Sequence, residues 1–547
     1  MSQNKRYINL NENYELEIAF PYDPELVDAM HNDFERTDYQ PHRKLWLAPP
    51  TEVNLEAAKG LARWSGFQLK NNERALGVDL MKLYREHRTA DSLSIRADIH
   101  VSGLGGELYP FQRAAVSYVA RVRRCIIADE MGTGKTVEAL ATLQYVGAFP
   151  ALVISPASLK LYWKQEVSHW LPTRSVAILD GQPSKLPAVD LLIVNYAVLH
   201  KYLSQLEKKR FKALVCDEAH YLKNHQAKRT KAVNMISKRI PYRLLLTGTP
   251  VLNRPQELVS PLTILGKIWK DWGGPSAFLE KYCPSNWGYY DGAANLEELN
   301  QSLREKCYLR RTKHQLLPEL PPKQKSRIWF ELDDYHSYSE LELETVAWAQ
   351  HQNDDAVWNE RNHSNTNVLQ RLSLLRKETA RRKLSAVCAW VRDFLKSGEK
   401  LVLFAYHQEI VQAIAETFSA VSITGKTPVK KRAALVNQFQ EDATMKLLVL
   451  SMGVGGAGWT LHAACNVAFA EMDWTPGAHD QAEDRLHRIG QKNAVTAWYL
   501  LAQYTVDEDM YALVERKRYV VDAATDGGTA TEILQGIIKR HRDEKHE

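Results

Sequence analysis

Short hydrophobic runs recur along the middle of the chain, and each ends in a turn that contains glycine, proline or acidic residues. Runs in which successive residues are apolar are typical of strands that are buried on both faces. Segments with helical spacing separate the runs, so strands and helices alternate along the chain. The first series of runs covers residues 125–128, 151–155, 191–195, 213–216 and 244–246. This alternation predicts an α/β domain with a parallel sheet and a ligand site at the carboxyl ends of its strands.

A second series of hydrophobic runs begins near residue 401. Its runs cover residues 401–406, 446–451 and 466–470, and helical spacing precedes them over residues 333–350 and 368–394. The same reasoning predicts a second parallel-sheet lobe, which would follow the first lobe along the chain.

The first hundred residues follow a different pattern, which predicts a separate module. Residues 14–19 alternate between apolar and polar positions, as a half-exposed strand does, and residues 43–47 form a second candidate strand. Helical spacing covers residues 24–30 and 55–64. Together these elements predict a small α+β module, which ends before the glycines at residues 103–106.

These patterns divide the chain into four predicted parts. They are an α+β module at residues 1–100, a first lobe at 101–335, a second lobe at 336–525 and a charged tail at 526–547. Within the first lobe the alternation lapses after about residue 255, and this lapse predicts a helical insertion.

Composition and charge narrow the class of protein only slightly. The chain has 547 residues, of which 45% are hydrophobic and 25% are charged, and its net charge is +6. This length suits several globular domains. The slight basic excess permits a polyanionic partner, and it fits an ordinary solvated surface equally well. None of the six cysteines lies in a Cys-x-x-Cys pair, which argues against a zinc site.

Two further features of the sequence bear on location. No segment offers about 18 uninterrupted apolar residues, so no membrane span is expected. No apolar segment follows the first residues, so secretion is not expected either. The expected location is therefore the cytoplasm for a bacterial or phage-like protein, or the nucleus for a eukaryotic one.

The strongest chemical signal follows the first hydrophobic run. A short strand, a glycine-bearing turn, the sequence Gly-Lys-Thr and a helix together make a phosphate-binding loop. Gly132 and Gly134, with Thr133 between them, let backbone N–H groups approach a polyphosphate. Lys135 can reach its β and γ phosphates, and Thr136 offers a hydroxyl to Mg²⁺. The alternative is an accidental glycine-rich turn.

Acidic residues at the end of a later run supply the second chemical signal. Asp217 is placed to bind Mg²⁺ directly or through water, and Glu218 is placed to orient and deprotonate an attacking water. A lone Asp-Glu pair is more often part of a solvated loop, so this interpretation depends on the phosphate-binding loop upstream. Gln112, about a dozen residues before the strand of that loop, offers an amide to an adenine edge.

A basic segment late in the chain completes the candidate site. On a helix, Gln481, Arg485 and Arg488 would share one face because they lie three and four residues apart. Two such guanidiniums can stabilise the charge that develops on a γ-phosphate, and arginines of this kind contribute about 10³ to 10⁵ in rate. The alternative is a solvated basic helix face. The second lobe has no phosphate-binding loop of its own, so we expect it to contribute these residues to the site of the first lobe.

Six segments carry these motifs, namely residues 129–136, 217–220, 222–224, 246–250, 455–461 and 481–491. Together they resemble the motifs of Swi/Snf-type ATPases of helicase superfamily two. The resemblance implies two RecA-like lobes. It also assigns Asp129 to the nucleotide-binding loop, where phosphate-binding loops in general have their first glycine. By the same resemblance, Ser155, Pro156, Ser158 and Thr460 contact a DNA strand.

Three further segments, residues 20–26, 43–46 and 469–477, resemble the HARP-type branch of that family, the annealing helicases. The N-terminal module of that branch helps to recognise branched or single-strand-containing DNA. This implies DNA contacts by Arg43, Lys44 and Trp46, whereas the alternative is that Trp46 fills a small core and the basic pair is solvated. Trp474 is a candidate for DNA contact or for burial.

The resemblance implies a function as well as a fold. The expected function is that of a DNA-dependent ATPase that uses ATP and Mg²⁺, translocates on duplex or forked DNA regardless of sequence, and remodels or anneals it. One alternative is an RNA-dependent motor of the same superfamily, and another is a nucleic-acid-binding protein that uses ATP only to change shape. Arg310 and Arg311, in the linker between the lobes, are expected to be structural or coupling residues. Protein partners stay unknown.

Overall fold

The structure, a computed structural model, describes residues 6–11, 13–64, 67–70, 91–179, 181, 185–248, 255–284, 293–351, 366–454, 459–520, 536–537 and 540. Within these residues it contains three β-sheets, and each sheet organises one part of the chain. The motif residues 249–250 and 455–458, and most of the predicted tail, lie outside the described residues.

The N-terminal module folds around a five-stranded sheet. Its elements are β1 (Tyr7–Leu10), β2 (Leu16–Ala19), α1 (Pro24–Asn32), β3 (Asp38–Gln40), β4 (Leu45–Ala48), α2 (Glu52–Trp64) and β5 (Gln68–Lys70). The strand order is β3-β4-β2-β1-β5, and only the pairing of β1 with β5 is parallel. Asp23 caps α1 by accepting a hydrogen bond from the N–H of Glu25 at 3.1 Å. The predicted α+β module is therefore present.

The first lobe contains a seven-stranded parallel sheet, as the first series of runs predicted. Its strands are β6 (Arg124–Ile127), β7 (Ala151–Ser155), β8 (Val176–Ile178), β9 (Leu191–Asn195), β10 (Ala213–Cys216), β11 (Tyr242–Leu246) and β12 (Tyr308–Leu309). They lie in the order β12-β6-β11-β10-β7-β9-β8. The side chains of the central strands are buried, because helices cover a parallel sheet on both faces.

Helices alternate with these strands and then form the predicted insertion. Those that alternate with the strands are α3 (Pro110–Val122), α4 (Lys135–Tyr145), α5 (Lys160–Trp170), α6 (Leu199–Lys208) and α7 (Lys228–Ser237). Those of the insertion, between β11 and β12, are α8 (Pro255–Leu265), α9 (Ile268–Trp272), α10 (Pro275–Tyr282) and α11 (Leu296–Lys306). The short helix α12 (Lys313–Leu316) follows β12.

The second lobe contains a six-stranded parallel sheet. Its strands are β13 (Lys323–Phe330), β14 (Leu401–Ala405), β15 (Val421–Ile423), β16 (Leu447–Ser451), β17 (Asn466–Phe469) and β18 (Val495–Ala502), in the order β13-β18-β17-β14-β16-β15. Its helices are α13 (Tyr335–His351), α14 (Thr366–Arg382), α15 (Leu384–Leu395), α16 (Gln408–Thr417), α17 (Val429–Glu441), α18 (Pro476–Glu483) and α19 (Val506–Val520). The fold class predicted from the sequence is confirmed.

Two features of the second lobe differ from the prediction. β13 pairs along its whole length with β18, so this strand belongs to the second sheet although the predicted boundary at residue 335 assigned it to the first lobe. The run predicted at 368–394 forms two helices, α14 and α15, which meet at Lys383. The buried ammonium of Lys383 lies 2.5 Å from Asp507 and donates to the carbonyl of Leu500. Helical spacing within the run does not reveal partners so distant along the chain.

The N-terminal module contacts the first lobe through Arg123, which immediately precedes β6. Its guanidinium donates to Asp38 at 3.3 Å, to the carbonyl of Tyr39 at 3.4 Å and to the side chain of Gln40 at 2.8 Å. These partners form β3, the edge strand of the module. The module is therefore attached at the amino end of the first lobe's sheet, away from the carboxyl ends where a ligand site is expected.

Two global expectations can be compared with the structure. No helix in the described part of the chain has both the length and the apolar character that a membrane crossing requires. The six cysteines are free thiols, and Cys125 and Cys216 pack in the core of the first lobe as their apolar surroundings predicted.

Candidate active site between the two lobes

The glycine loop lies between β6 and α4, at the carboxyl end of the first lobe's sheet. Gly132 and Gly134 adopt φ values of +82° and +90°, a region that residues with side chains rarely enter. A Cβ on Gly132 would lie 2.9 Å from the Cβ of Arg488, and one on Gly134 would lie 2.6 Å from the Nε2 of Gln112. Both the conformation and the close neighbours therefore require glycine at these positions.

Lys135 begins α4 and extends its ammonium back across the loop. Its Nζ donates to the carbonyl of Asp129 at 2.7 Å and to that of Glu130 at 3.0 Å. Burial lowers the pKa of Lys135, although the nearby carboxylates, Glu218 first among them, oppose the shift. The helix N-terminus adds partial positive charge at the same place. The cation and the helix end together suit an anion.

The side chain of Asp129 has a different role from the predicted nucleotide contact. Its carboxylate is fully buried, and Arg311 Nη2 lies 2.5 Å from its Oδ2. The same guanidinium atom lies 3.1 Å from Oε1 of Glu138 on α4. An aspartate at this position therefore ties the glycine loop to the segment after β12. The structure also gives Arg311 the structural role that the sequence predicted.

Asp217 and Glu218 directly follow β10, and their environments differ. Nε1 of Trp163 on α5 donates to Asp217 Oδ2 at 2.8 Å. Burial raises the pKa of Asp217 to about 6, and the charge of Glu218 adds to the shift. Burial also disfavours the charged form of Glu218, but the hydrogen bond and charge of His220, 3.2 Å away, outweigh it and lower the pKa of Glu218. At neutral pH Glu218 is therefore an ionised carboxylate.

The arginines lie in the second lobe, although not on one helix face as their spacing predicted. α18 ends at Glu483, and Arg485 and Arg488 lie in the turns that follow. The N–H groups of Arg485 and Leu486 bond to carbonyls three residues back, so the helix tightens and stops. We call residues 484–488 the arginine turn.

The glycine loop, the acidic pair and the arginine turn line one cleft of about 220 Å³ between the lobes. Gln481 Nε2 lies 3.5 Å from Glu218 Oε1 across this cleft. Burial lowers the pKa of Arg485 to about 10, and the charge of Arg488 adds to the shift. The residues of the predicted site that line the cleft are Gly132, Gly134, Lys135, Thr136, Asp217, Glu218, Gln481, Arg485 and Arg488.

Three residues predicted to bind nucleotide lie beside the cleft rather than in its lining. Besides Asp129, these are Gln112 and Thr133, which are both buried. Gln112 accepts a hydrogen bond from the N–H of Tyr109 at 3.0 Å and donates to the carbonyl of Thr133 at 3.3 Å. The hydroxyl of Thr133 donates to the carbonyl of Glu130 at 2.9 Å. These bonds brace the glycine loop, and the adenine contact of Gln112 stays a prediction.

The DNA contacts predicted in the first lobe lie at the carboxyl end of β7. Ser155 is buried and its hydroxyl donates to the carbonyl of Pro156 at 3.3 Å, whereas Pro156 and Ser158 are partly exposed. Only the latter two therefore present side-chain surface to a large ligand.

The two residues of the second lobe predicted to contact DNA, Thr460 and Trp474, have partners within the protein. Thr460 lines the cleft and accepts a hydrogen bond from Arg488 at 2.8 Å, so it contacts the arginine turn, and its DNA contact stays a prediction. Trp474 is half-buried, and the guanidinium of Arg376 lies 4.5 Å from its ring centroid. Its predicted DNA contact stays a prediction.

In the N-terminal module the structure favours a core position for Trp46 over a DNA contact. Trp46 is 9% exposed and belongs to the hydrophobic core of the module, and the rings of His31 and Tyr39 pack against it, so its ring offers no face to a base. Arg43 pairs with Glu17 at 2.6 Å. Lys44 is exposed, and a phosphate contact by this residue stays a prediction.

Two residues that contact the site were not found from the sequence. Trp163 donates to Asp217, and Tyr162 beside it on α5 lines the cleft. Burial raises the pKa of Tyr162 to about 12, so its hydroxyl stays protonated at neutral pH. Nothing in the sequence around α5 indicates that this helix reaches a carboxylate on another strand.

The side chains of the cleft fit a nucleotide with a divalent cation. Lys135 and the two arginines, together with the N-terminus of α4, suit a polyphosphate. Thr136 and Asp217 offer oxygen ligands, and Mg²⁺ typically takes one or two protein ligands together with phosphate oxygens. In the described residues, no group of three or more His, Cys, Asp or Glu side chains suits a metal on its own.

Family models match most of the chain. Residues 53–384 match the model described as the SNF2-related domain, and residues 382–490 match the helicase conserved C-terminal domain. The first match contains the glycine loop and the acidic pair, and the second contains the arginine turn.

Curated proteins and solved structures similar to this chain include the following three. The chain is 32% identical over 449 residues to the DNA annealing helicase and endonuclease ZRANB3 of Bos taurus, which covers 78% of this chain and 41% of the relative. It is 32% identical over 445 residues to the SWI/SNF-related matrix-associated actin-dependent regulator of chromatin subfamily A-like protein 1 of Xenopus tropicalis, which covers 77% and 45%. It thus spans less than half the length of both relatives. The SWI2/SNF2 ATPase core of Sulfolobus solfataricus in complex with dsDNA is 24% identical, covers 80% of this chain and 96% of that chain, and superposes with a TM-score of 0.39.

Proposed function

Since the chain belongs to the SNF2-related family, we propose that it is a DNA-dependent ATPase that translocates on duplex or forked DNA and remodels or anneals it. The observation that carries this proposal is the cleft that both lobes line. A ligand that binds one arrangement of the two lobes more tightly than another shifts the equilibrium toward that arrangement. The names of the relatives, which include a DNA annealing helicase, support DNA as the track and annealing as one outcome.

The cations of the cleft have complementary tasks in this proposal. ATP bound with Mg²⁺ supplies the γ-phosphoryl group that is transferred to water. Lys135, which belongs to the first lobe, holds the phosphates of ATP. Arg485 and Arg488 approach from the second lobe and stabilise charge as it develops on the γ-phosphate. Hydrolysis then depends on closure of the lobes, because the arginines and the glycine loop belong to different sheets.

The two residues of the acidic pair have different roles, one in metal binding and the other in proton transfer. Asp217 and Thr136 are the candidate ligands of Mg²⁺, and Glu218 is the candidate base that orients the attacking water and accepts its proton. The lowered pKa of Glu218 keeps it ionised and therefore able to accept a proton at neutral pH. The hydrogen bond from Trp163 fixes the orientation of Asp217.

Trp163→Phe is expected to weaken Mg²⁺ binding about tenfold, since losing an outer partner of a metal ligand typically costs about 10- to 100-fold. Phenylalanine keeps the aromatic packing and removes the N–H group. Because that hydrogen bond lowers the pKa of Asp217, its loss raises this pKa, and the acid limb of the activity profile should move to higher pH. Mg²⁺ titrations of ATP turnover at several pH values measure both effects.

The matched control for this prediction is Trp390→Phe on α15. Trp390 stacks on Phe394 in the second lobe and is not among the residues that line the cleft. Trp390→Phe should leave the Mg²⁺ dependence unchanged. Identical Mg²⁺ dependence and identical pH profiles for Trp163→Phe and the unmodified protein would contradict the role given to Trp163.

The candidate contact surface for DNA lies at the carboxyl end of β7. Pro156 and Ser158 are partly exposed beside the carboxyl end of β7, which is adjacent to β10 and its acidic pair. Hydroxyl and backbone groups of this kind suit phosphate contacts that ignore sequence. Affinity for DNA should therefore fall as salt concentration rises.

The decisive experiment measures steady-state phosphate release with no nucleic acid, single-stranded DNA, duplex DNA, forked DNA and RNA in parallel. We expect duplex or forked DNA to stimulate turnover most, and Lys135→Ala to abolish it because the variant loses the cation that holds the phosphates. Stronger stimulation by RNA would favour the RNA-dependent motor. Tight ATP binding without turnover under any of these conditions would favour the protein that uses ATP only to change shape.

A further inference from the structure

The segment after β12 bonds to three successive residues of the glycine loop, Ala128, Asp129 and Glu130. Arg310 donates to the carbonyl of Ala128 at 2.8 Å, and Arg311 pairs with Asp129. The backbone N–H of Lys313 donates to the carboxylate of Glu130 at 2.8 Å. These bonds make the segment part of the first half of the cleft, although it is far from the glycine loop in sequence.

The side chain of Lys313 extends from this segment to the second lobe. It is 7% exposed, its Nζ lies 2.8 Å from Asp484 Oδ1, and it donates to the carbonyl of His487 at 2.7 Å. Asp484 directly precedes Arg485, and His487 directly precedes Arg488. The Lys313 ammonium therefore binds the residue before each arginine, through the side chain of Asp484 and through the backbone carbonyl of His487.

Neighbouring contacts reinforce this connection. Lys323 on β13 lies 3.1 Å from Asp484 Oδ1 and 2.8 Å from Glu483 Oε2. Ring Nε2 of His487 lies 2.8 Å from the carbonyl of Pro321. The carbonyl of Asp484 in turn accepts a hydrogen bond from Arg488 Nε at 3.2 Å. The arginine turn is thus anchored to the chain segment that leads from one lobe to the other.

We infer that Lys313 is a positioning residue that sets the arginine turn against the glycine loop, an inference that rests on the proposed function. Lys313 is one residue with a bond to each half of the cleft: its N–H binds the glycine loop through Glu130, and its ammonium binds the arginine turn. Lys313 is not among the residues that line the cleft, and it contacts Asp484 and His487, which precede the two arginines. Its effect on hydrolysis is exerted through the placement of Arg485 and Arg488.

Lys313→Met is expected to lower kcat for ATP about 100-fold and to leave KM for ATP nearly unchanged. A misplacement of about 1 Å can cost about 10²-fold in rate, and the substitution leaves Lys135 and the glycines in place. Lys313→Arg keeps the charge and should restore much of kcat. Lys209→Met is the matched control, since Lys209 is half-buried in the first lobe, donates to the carbonyl of Pro187 and lies outside the cleft lining.

The pH profile provides a readout that a purely structural role would not change. Burial lowers the pKa of Lys313 to about 8, although Asp484 opposes the shift. The other charged or titratable groups that face it are Lys323, Arg488 and His487. The charged form is lost as pH rises, so kcat should fall above about pH 8. This alkaline fall should disappear in Lys313→Arg, because the guanidinium stays charged.

Hydrogen exchange of the ligand-free protein tests the placement without any activity. Lys313→Met should accelerate exchange of the backbone amides at 484–491, whereas Lys209→Met should not. A protein without ATP turnover would refute the proposed function, and the exchange result would still decide the role of Lys313. Unchanged exchange at 484–491 in Lys313→Met, or a fall in kcat that Lys209→Met reproduces, would overturn the inference.

Discussion

Glu218→Gln is expected to lower ATP turnover by about 10²- to 10⁴-fold, because a positioned general base contributes about that much to the rate. The substitution keeps the shape of the side chain and removes its capacity to accept a proton. The glycine loop, Lys135 and the arginine turn are unaltered, so nucleotide should remain bound. Phosphate release measures the first effect, and titration with a fluorescent ATP analogue measures the second.

Two variants serve as controls for this prediction. Glu207→Gln changes an exposed glutamate on α6 and should leave both measurements unchanged. Lys135→Ala should lose affinity as well as turnover, because it removes the cation that faces the phosphates. If Glu218→Gln hydrolysed ATP at the normal rate, Glu218 would not be the base, and the acidic pair would be left with metal binding alone.

Arg311→Met is expected to destabilise the first lobe by about 3–5 kcal/mol, the typical cost of breaking a buried ion pair from one side. The guanidinium is 1% exposed and neutralises Asp129, and it also bonds Glu138. Burial and the charge of Asp129 raise the pKa of Glu138 to about 8. Without Arg311, Asp129 would stay a buried charge next to the glycine loop.

Thermal unfolding of the full chain measures this destabilisation. The midpoint of the first lobe should fall by about 10 °C, since 1 kcal/mol corresponds to about 2–4 °C for a domain of this size. Arg381→Met breaks an exposed set of ion pairs with Glu378 and Glu409 and should change the midpoint little. Combining Arg311→Met with Asp129→Asn removes the isolated charge and should recover part of the loss. An unchanged midpoint in Arg311→Met would mean that the pair adds nothing to stability.

The predicted site residues that lie within one short segment are found together in the structure. Gly132, Gly134, Lys135 and Thr136 line the cleft because the loop and the start of its helix are local structures, set by glycine conformations and by the strand before them. Predictions that needed a contact across the chain were less successful. The sequence left Trp46 open between a DNA contact and a small core, and the contact of its ring with His31 was not predicted. The hydrogen bond of Thr460 with Arg488 was not predicted either, and its DNA contact stays a prediction.

For the arginine turn, the structure agrees with the predicted location and contradicts the reason given for it. Arg485 and Arg488 lie in the predicted cleft, but the reason given for it, a shared helix face, was wrong because α18 ends at Glu483. Helical spacing predicts which residues are neighbours only while the helix lasts. Their location is instead determined by bonds such as that of Lys313 to the carbonyl of His487.

The sequence by itself determined the two alternating series of strands and helices, the glycine loop and the acidic strand end, because hydrophobic spacing and backbone conformation are local properties. The tertiary structure decided how the lobes face each other, that Asp129 binds Arg311, and that Trp163 orients Asp217. Such partners are separated by long stretches of chain, and only the packing of the sheets and their helices brings them within hydrogen-bonding distance.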